Sequence, residues 1–212
     1  MIKSFIEVGD TFSSNIYVIG KINSPCIIID PGSDDSSLTS YISSYHSKVE
    51  AILITHGHFD HIQGIEKILQ YFNYDIPIYI SKEDNELLTD SFLNCSSNHN
   101  MNVSIHISPI LIESEDIIKT KSFSFKPILT PYHTKGSICY LFEDDNALFT
   151  GDSLFKNSIG REDLPTAVPS MRNSSLSKIV HLSKYLSIYP GHGEITSLES
   201  EIKNNPYLRN LK

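Results

Sequence analysis

The sequence predicts an α/β fold in which two mixed β-sheets pack back to back with helices on their outer faces. Short apolar runs closed by Gly, Pro or polar residues recur in both halves of the chain, segments of helical periodicity separate them, and histidine-bearing turns follow several of the runs. Strand, helix and histidine thus appear in each half, and stacking two sheets buries many apolar strands at once.

Taken in order, Ile16-Tyr17-Val18-Ile19, Cys26-Ile27-Ile28-Ile29 and Ile52-Leu53-Ile54 are the first predicted strands. Between the second and third, Leu38, Tyr41, Ile42 and Tyr45 recur at helical spacing, which predicts a crossover helix over Ser36–Tyr45. Helices also fit Ile62–Tyr71, Lys82–Thr89 and Ser175–Tyr185. The polar, turn-rich stretch Asn94 to Met101 predicts a surface loop to which no chemistry is assigned. Strands return at Ser122–Leu129, Ile138–Phe142 and Ala147–Phe149, with a helix and a short Ile188-Tyr189 strand after them.

Composition agrees with one globular domain over residues 1–212: 40% hydrophobic and 20% charged residues, with ten Gly and ten Pro. The formal charge of -8 repels phosphate backbones, and Lys and Arg are scattered singly, so nucleic acid is not an expected partner. Cys26, Cys95 and Cys139 are far apart, odd in number and form no C-x-x-C pair, which indicates neither a disulfide framework nor a cysteine metal site and suits reduced thiols in a cytoplasmic protein. Met1 to Ile19 mixes Lys3, Glu7 and Asp10 among its apolar residues, so it predicts neither a signal peptide nor a span, and no membrane association is expected.

The chemistry concentrates in Thr55-His56-Gly57-His58-Phe59-Asp60-His61, set between the Ile52–Ile54 strand and the helix beginning near Ile62. Neutral imidazole and carboxylate suit zinc and similar divalent ions, and a strand-to-helix turn is held rigid at both ends. His56 and His58, two apart, can point to one side of an extended segment while Asp60 and His61 enter from the helix start. Four donors in six residues exceed what one ion readily uses; two ions about 3.5 to 4 Å apart, sharing a water, can use them all. Gly57 is expected to keep space beside the ions. Asp60 with Gln63 also fits a helix cap and its capping-box partner.

Further ligands must come from elsewhere, and the second half offers His133 in Thr130-Pro131-Tyr132-His133-Thr134-Lys135-Gly136-Ser137, Asp152 in Thr150-Gly151-Asp152-Ser153, and His192 in Pro190-Gly191-His192-Gly193. Each follows an apolar run and is flanked by Gly or Pro, as residues in strand-end loops usually are.

These motifs, in this order, resemble the metallo-β-lactamase fold and within it the glyoxalase II-like hydrolases, with their T-H-x-H-x-D-H, T-P-x-H-x-x-G-S, G-D and P-G-H-G signatures. The similarity runs from Ile29-Asp30-Pro31-Gly32 through Gly160-Arg161-Glu162-Asp163-Leu164-Pro165 to Asn205-Pro206-Tyr207-Leu208. It implies a four-layer αββα sandwich. It also implies that His56, His58 and His133 hold one ion, that Asp60, His61 and His192 hold the other, and that Asp152 bridges both. Zinc is the expected metal, and iron or manganese also accept such ligands. Asp30 is implied to orient a ligand histidine or the turn that carries it; a turn Asp before Pro-Gly is the alternative.

The implied reaction is hydrolysis of S-lactoylglutathione or a related small thioester by a metal-bridging hydroxide, with Asp60 and Asp152 as the catalytic carboxylates. Arg161 is the candidate for the substrate carboxylate, its alternative being an ion pair with Glu162 or Asp163 in its own loop. Tyr132, Lys135 and Glu162 depart from the usual family residues and are expected at the rim. The chain ends twenty residues after His192, which implies the short type lacking the helical domain that helps long members bind glutathione. The rival reading is the mononuclear iron persulfide dioxygenase of the same fold. A phosphodiesterase is disfavoured by the acidic charge, a non-catalytic module by the intact ligand set, and β-lactam hydrolysis because Asp152 stands where lactamases carry a cysteine.

Overall fold

The computed structural model describes residues 2–5, 14–33, 35–73, 75–209 and 211. Among the described residues, twelve strands form two six-stranded sheets. The first sheet contains β1 (Ile2–Phe5), β2 (Ile16–Gly20), β3 (Ser24–Ile29), β4 (His46–Leu53), β5 (Ile78–Ser81) and β6 (Ile110–Ile112), in that spatial order. The second contains β7 (Ile118–Lys119), β8 (Ser124–Leu129), β9 (Ile138–Phe142), β10 (Ala147–Gly151), β11 (Ser187–Pro190) and β12 (Thr196–Ser197), in the reverse order. Both are mixed: β3, β4, β5 and β6 run parallel beyond an antiparallel β1–β3 meander, and in the second sheet only β10 and β11 pair in parallel. The α-helices among the described residues are α1 (Ser36–Tyr45), α2 (Phe59–Ile62), α3 (Ile65–Tyr71), α4 (Arg172–Val180) and α5 (Leu198–Asn204).

Alternation along the strands builds the layers. Ile16, Val18, Cys26, Ile28 and Ile52 face outward and pack with Leu38, Ile42, Ile65 and Ile68 of α1 and α3. Their neighbours Tyr17, Ile19, Ile27, Ile29 and Leu53 face inward onto Phe125, Ile138, Tyr140, Phe142 and Phe149 of the second sheet. The outer face of that sheet, with Ile128, Leu141, Leu148 and Ile188, is covered by Leu176, Ile179 and Leu198 of α4 and α5. Three apolar interiors in register make four layers, αββα, and they explain why these strands read as continuous rather than alternating apolar runs.

The expected helix over Ile62–Tyr71 is instead two, broken at Gln63-Gly64. Gly64 N–H donates to Pro31 O at 2.8 Å and Gln63 Nε2 to Gly32 O at 2.6 Å, so the chain turns against the loop after β3 instead of continuing. Lys82–Thr89 winds as a 3₁₀ helix over Lys82–Leu88, which puts Asp84 and Leu87, three residues apart, on one buried face. Asn94–Met101 is less open than predicted: Ser96–His99 form a 3₁₀ turn, and Asn94 is fully buried, its amide donating to Leu87 O and Val103 O at 2.9 Å each. β4, the third predicted strand, begins at His46, ahead of its apolar run; its first residues are polar and not buried, so no apolar pattern marks them. The last predicted helix sits earlier than Ser175–Tyr185, over Arg172–Val180. The reading of the N-terminal segment falls largely on residues 6–13, outside the described residues. Among the described residues no helix is long and apolar enough to cross a membrane.

Candidate metal centre

All seven predicted ligands converge at the ends of β4, β8, β10 and β11. Their donor atoms form three overlapping groups, each within 4.8 Å: His56, His58 and His133; His56, His61 and Asp152; Asp60, His61 and His192. Asp152 lies between the outer groups, with Oδ2 at 3.4 Å from His133 Nε2 and 3.7 Å from His192 Nε2, and Oδ1 at 3.5 Å from His61 Nε2. Asp60 Oδ2 is 3.1 Å from His192 Nε2 and 3.6 Å from His61 Nε2. Its carboxylate thus faces the site and caps no helix; the residue ahead of α2 is His58.

Scaffold contacts fix the rings. Asp30, 2% exposed, accepts from Thr55 N–H at 2.7 Å and Thr55 Oγ1 at 2.6 Å and meets His61 Nδ1 at 3.0 Å, so it orients both the turn and the ligand. His133 Nδ1 meets Arg161 O at 2.8 Å, which turns its Nε2 inward. The His192 turn is held from β2 and the residues before it: Asn15 Nδ2 donates to Pro190 O and Gly193 O, and Tyr17 Oη to Pro190 O. Ser14 Oγ donates to Asp60 O.

The fit to a metal rests on atoms with nothing else to do. His56 Nε2, His61 Nε2 and Asp152 Oδ1 are buried and find no hydrogen-bond partner. Buried polar atoms are normally satisfied because an orphan costs about 1 to 3 kcal/mol; a divalent cation would satisfy these with the hard and borderline donors it prefers. Burial, with repulsion from neighbouring imidazoles, pushes His56 and His58 well below the ordinary histidine range, which favours the neutral imidazole that a cation requires. Burial opposes protonation of His61 too, but Asp60, Asp30 and Asp152 outweigh it and raise this group to about 10. Burial would raise Asp60, yet His61 and His192 hold it well below the usual carboxylate range. Three carboxylates around one ring make a field that attracts cations.

Several expectations need correction. Gly57 does not clear space for ions: a Cβ there would meet Leu87 Cβ at 2.4 Å, so its missing side chain admits the 3₁₀ helix. Gly191 does that work, since a Cβ would stand 2.3 Å from Asp152 Oδ1 and 2.8 Å from His61 Cε1. Gly191→Ala is therefore expected to cut metal affinity by at least about 10-fold with little change in the urea midpoint of metal-free protein, checked by chelator competition. Tyr132 is not at the rim. It is fully buried, and its hydroxyl donates to the Ser153 carbonyl at 2.5 Å and lies 3.2 Å from that of Asp152. Lys135 is exposed, and Glu162 accepts from Arg172 Nη1 at 3.0 Å. The Arg161 guanidinium is engaged by both oxygens of Asp163, at 2.7 and 2.8 Å, in an exposed loop pair. Sequence reasoning missed Asp84, which is fully buried between the ligand loops. Its only signal was one acid among several in a stretch of helical periodicity.

A four-layer sandwich with imidazole and carboxylate donors gathered at its strand ends defines a metal-binding α/β enzyme core. The chain belongs to the metallo-beta-lactamase superfamily, whose model matches residues 9–192. It is 30% identical to a protein of Streptococcus pyogenes named "Probable metallo-hydrolase", over 98% of this chain and 90% of that one. It is 29% identical to "Hydroxyacylglutathione hydrolase GloC" of Haemophilus influenzae, over 93% of each. Among solved structures it is similar to BLEG-1 B3 metallo-beta-lactamase (TM-score 0.90, 31% identity, 98% of this chain and 99% of that one). It is also similar to a protein crystallised in a di-iron-bound form (TM-score 0.82, 26% identity, 96% and 100%).

Proposed function

We propose that this chain hydrolyses small thioesters, S-lactoylglutathione or a related thiol ester of a 2-hydroxy acid, with two divalent ions held by His56, His58 and His133 on one side, Asp60, His61 and His192 on the other, and Asp152 between. The observation that carries the reading is the pair of outer donor groups linked through His56, His61 and Asp152, with His56 Nε2, His58 Nε2, His61 Nε2 and Asp152 Oδ1 buried and without a hydrogen-bond partner. The likeness to the Haemophilus influenzae hydroxyacylglutathione hydrolase points to the thioester. Zinc fits the donors, and the di-iron-bound relative keeps iron in play, with manganese equally compatible.

When bound, such ions bring the pKa of a coordinated water from about 15.7 to about 7 and so supply hydroxide near neutral pH. The protein's own groups do the rest. Asp60 accepts a hydrogen bond from the attacking water and fixes its line of approach. Asp152 keeps the His133 and His192 sides of the site in one geometry. Arg161 exchanges Asp163 for the substrate's carboxylate, an exchange that costs little because an exposed ion pair contributes about 0 to 1 kcal/mol. A thiolate leaves without a strong general acid, so the site needs none.

Protein purified without added metal is expected to contain about two ions per chain, chosen among zinc, iron and manganese, measured by mass spectrometry. It should hydrolyse lactoylglutathione or another member of a thioester panel and lose turnover when a chelator strips the ions. One iron per chain with oxygen consumption on a persulfide would replace this reading with the dioxygenase. β-Lactam hydrolysis is a second reading, supported by the likeness to BLEG-1; a chromogenic cephalosporin in the same panel decides it.

A further inference from the structure

We infer that Asp84 is a positioning residue that locks the two ligand-bearing loops to each other, and that its carboxylate sets how tightly the His56, His58 and His133 side holds a cation. The inference rests on the two-ion reading above. Asp84 touches none of these rings. It reaches them through the backbone and side-chain groups beside them: Oδ2 accepts from Gly57 N–H at 3.0 Å, between His56 and His58, and from Thr134 Oγ1 at 2.7 Å, next to His133. Oδ1 accepts from Gly136 N–H at 2.8 Å in the same loop as His133. One carboxylate therefore joins the loop after β4 in the first sheet to the loop after β8 in the second.

Its burial argues against an incidental contact. Asp84 is fully buried, and burial raises its pKa against the pull of its hydrogen bonds. Carboxylates are almost never fully buried unless paired. Here the partners are loop groups, and the two loops they anchor carry the donors that must meet within 4.8 Å. The chain also shapes itself around this group: a Cβ on Gly136 would lie 2.6 Å from Asp84 Oδ1. No apolar residue could hold both loops, and an amide cannot either. Any orientation of Asn at this position aims its NH₂ at Gly57 N–H and Thr134, or at Gly136 N–H, so one loop always faces a donor against a donor.

The test uses cobalt(II) as the metal probe, since its visible absorption reports ligand geometry as well as occupancy. Asp84→Asn is expected to lower cobalt affinity 10- to 100-fold by chelator competition, the usual cost of losing an outer hydrogen-bond partner of a metal site, and to change the visible bands. The matched control is Glu50→Gln, within β4 and away from the ligand-bearing turn that follows it. Glu50 is likewise buried and accepts from Thr120 Oγ1, Ser122 N–H and Ser122 Oγ. This control should lower the urea midpoint while leaving cobalt affinity within about twofold of wild type. If Asp84→Asn does not fold, Thr134→Val, which removes one of the three bonds, is read by the same spectra and should show a smaller loss in the same direction. Wild-type cobalt affinity and spectrum in whichever variant folds, or an equal loss in Glu50→Gln, overturns the role of Asp84 alone. Wild-type protein that holds no cobalt overturns the two-ion reading, and this inference with it.

Discussion

Replacing Asp152 with Asn is expected to lower kcat by more than about 100-fold, since even outer partners of metal ligands cost 10- to 100-fold, while the fold survives. The two halves of that expectation have separate causes. The side chain spans the site, within 3.7 Å of His61, His133 and His192, so an amide there removes the negative charge shared by both donor groups. Yet Asp152 Oδ1 has no hydrogen-bond partner, the side chain's contacts are with the histidines of the site, and the backbone carbonyl lies beside the buried Tyr132 hydroxyl. Removing the charge therefore leaves the metal-free protein within about 1 kcal/mol of wild type. Metal content per chain, steady-state kinetics and a urea titration check the three parts. Undiminished turnover in this variant would remove Asp152 from the mechanism.

The ligands were legible because each sits where sequence punctuation is loudest. An apolar run ends, Gly or Pro follows, and a histidine or aspartate stands in the turn; β4, β8, β10 and β11 all follow this rule. The two-sheet layering was legible because strands buried on both faces read as unbroken Val, Ile and Leu runs. The elements that escaped are those whose pattern is too short to repeat. β1 and β5 have four residues each and β6, β7 and β12 three, two and two, and their identity comes from pairing with a neighbour already in place. α5 at Leu198–Asn204 offers little more than one buried apolar face per turn.

The supports of the site were illegible for a different reason. Asp84 and Glu201 stand among other acids, with Glu83, Glu86 and Glu199 close by, and Glu50 sits between Val49 and Ala51; for each the sequence prior is a solvated surface group. Each is in fact buried and collects at least one hydrogen bond from a residue distant in the chain; Glu201 takes one from Asn157 N–H, beside nearer ones from Thr196 Oγ1 and Asn205 Nδ2. Only the closed fold supplies those donors. Tyr132 was misplaced by the same logic, because its neighbours His133 and Lys135 read as a loop while its ring belongs to the core under α4. Arg161 shows the converse. Its loop partner was one of the two alternatives the sequence left open, and the contact that reaches the ligands is its carbonyl, which no sequence pattern reports.

Asp30 is where support and ligand meet, and its removal is expected to cost both stability and metal. Asp30→Ala leaves Thr55 N–H, Thr55 Oγ1 and His61 Nδ1 without their acceptor in a site 2% exposed. Breaking such a buried, charged set from one side costs about 3 to 5 kcal/mol. The backbone adds to this, because Asp30 sits at φ 48°, a left-handed region that Asp and Asn tolerate and that costs other L-residues about 1 to 2 kcal/mol. Asp30→Asn separates the two effects. It keeps the backbone preference and one acceptor oxygen for Thr55, but its NH₂ cannot accept a proton from the imidazole, so His61 loses its anchor. The expected order in urea midpoint is wild type above Asn above Ala, whereas metal affinity should fall in both variants by at least about 10-fold. Equal midpoints for Asn and Ala would show that the carboxylate's charge, rather than the turn it holds, carries the stability of this end of the sandwich.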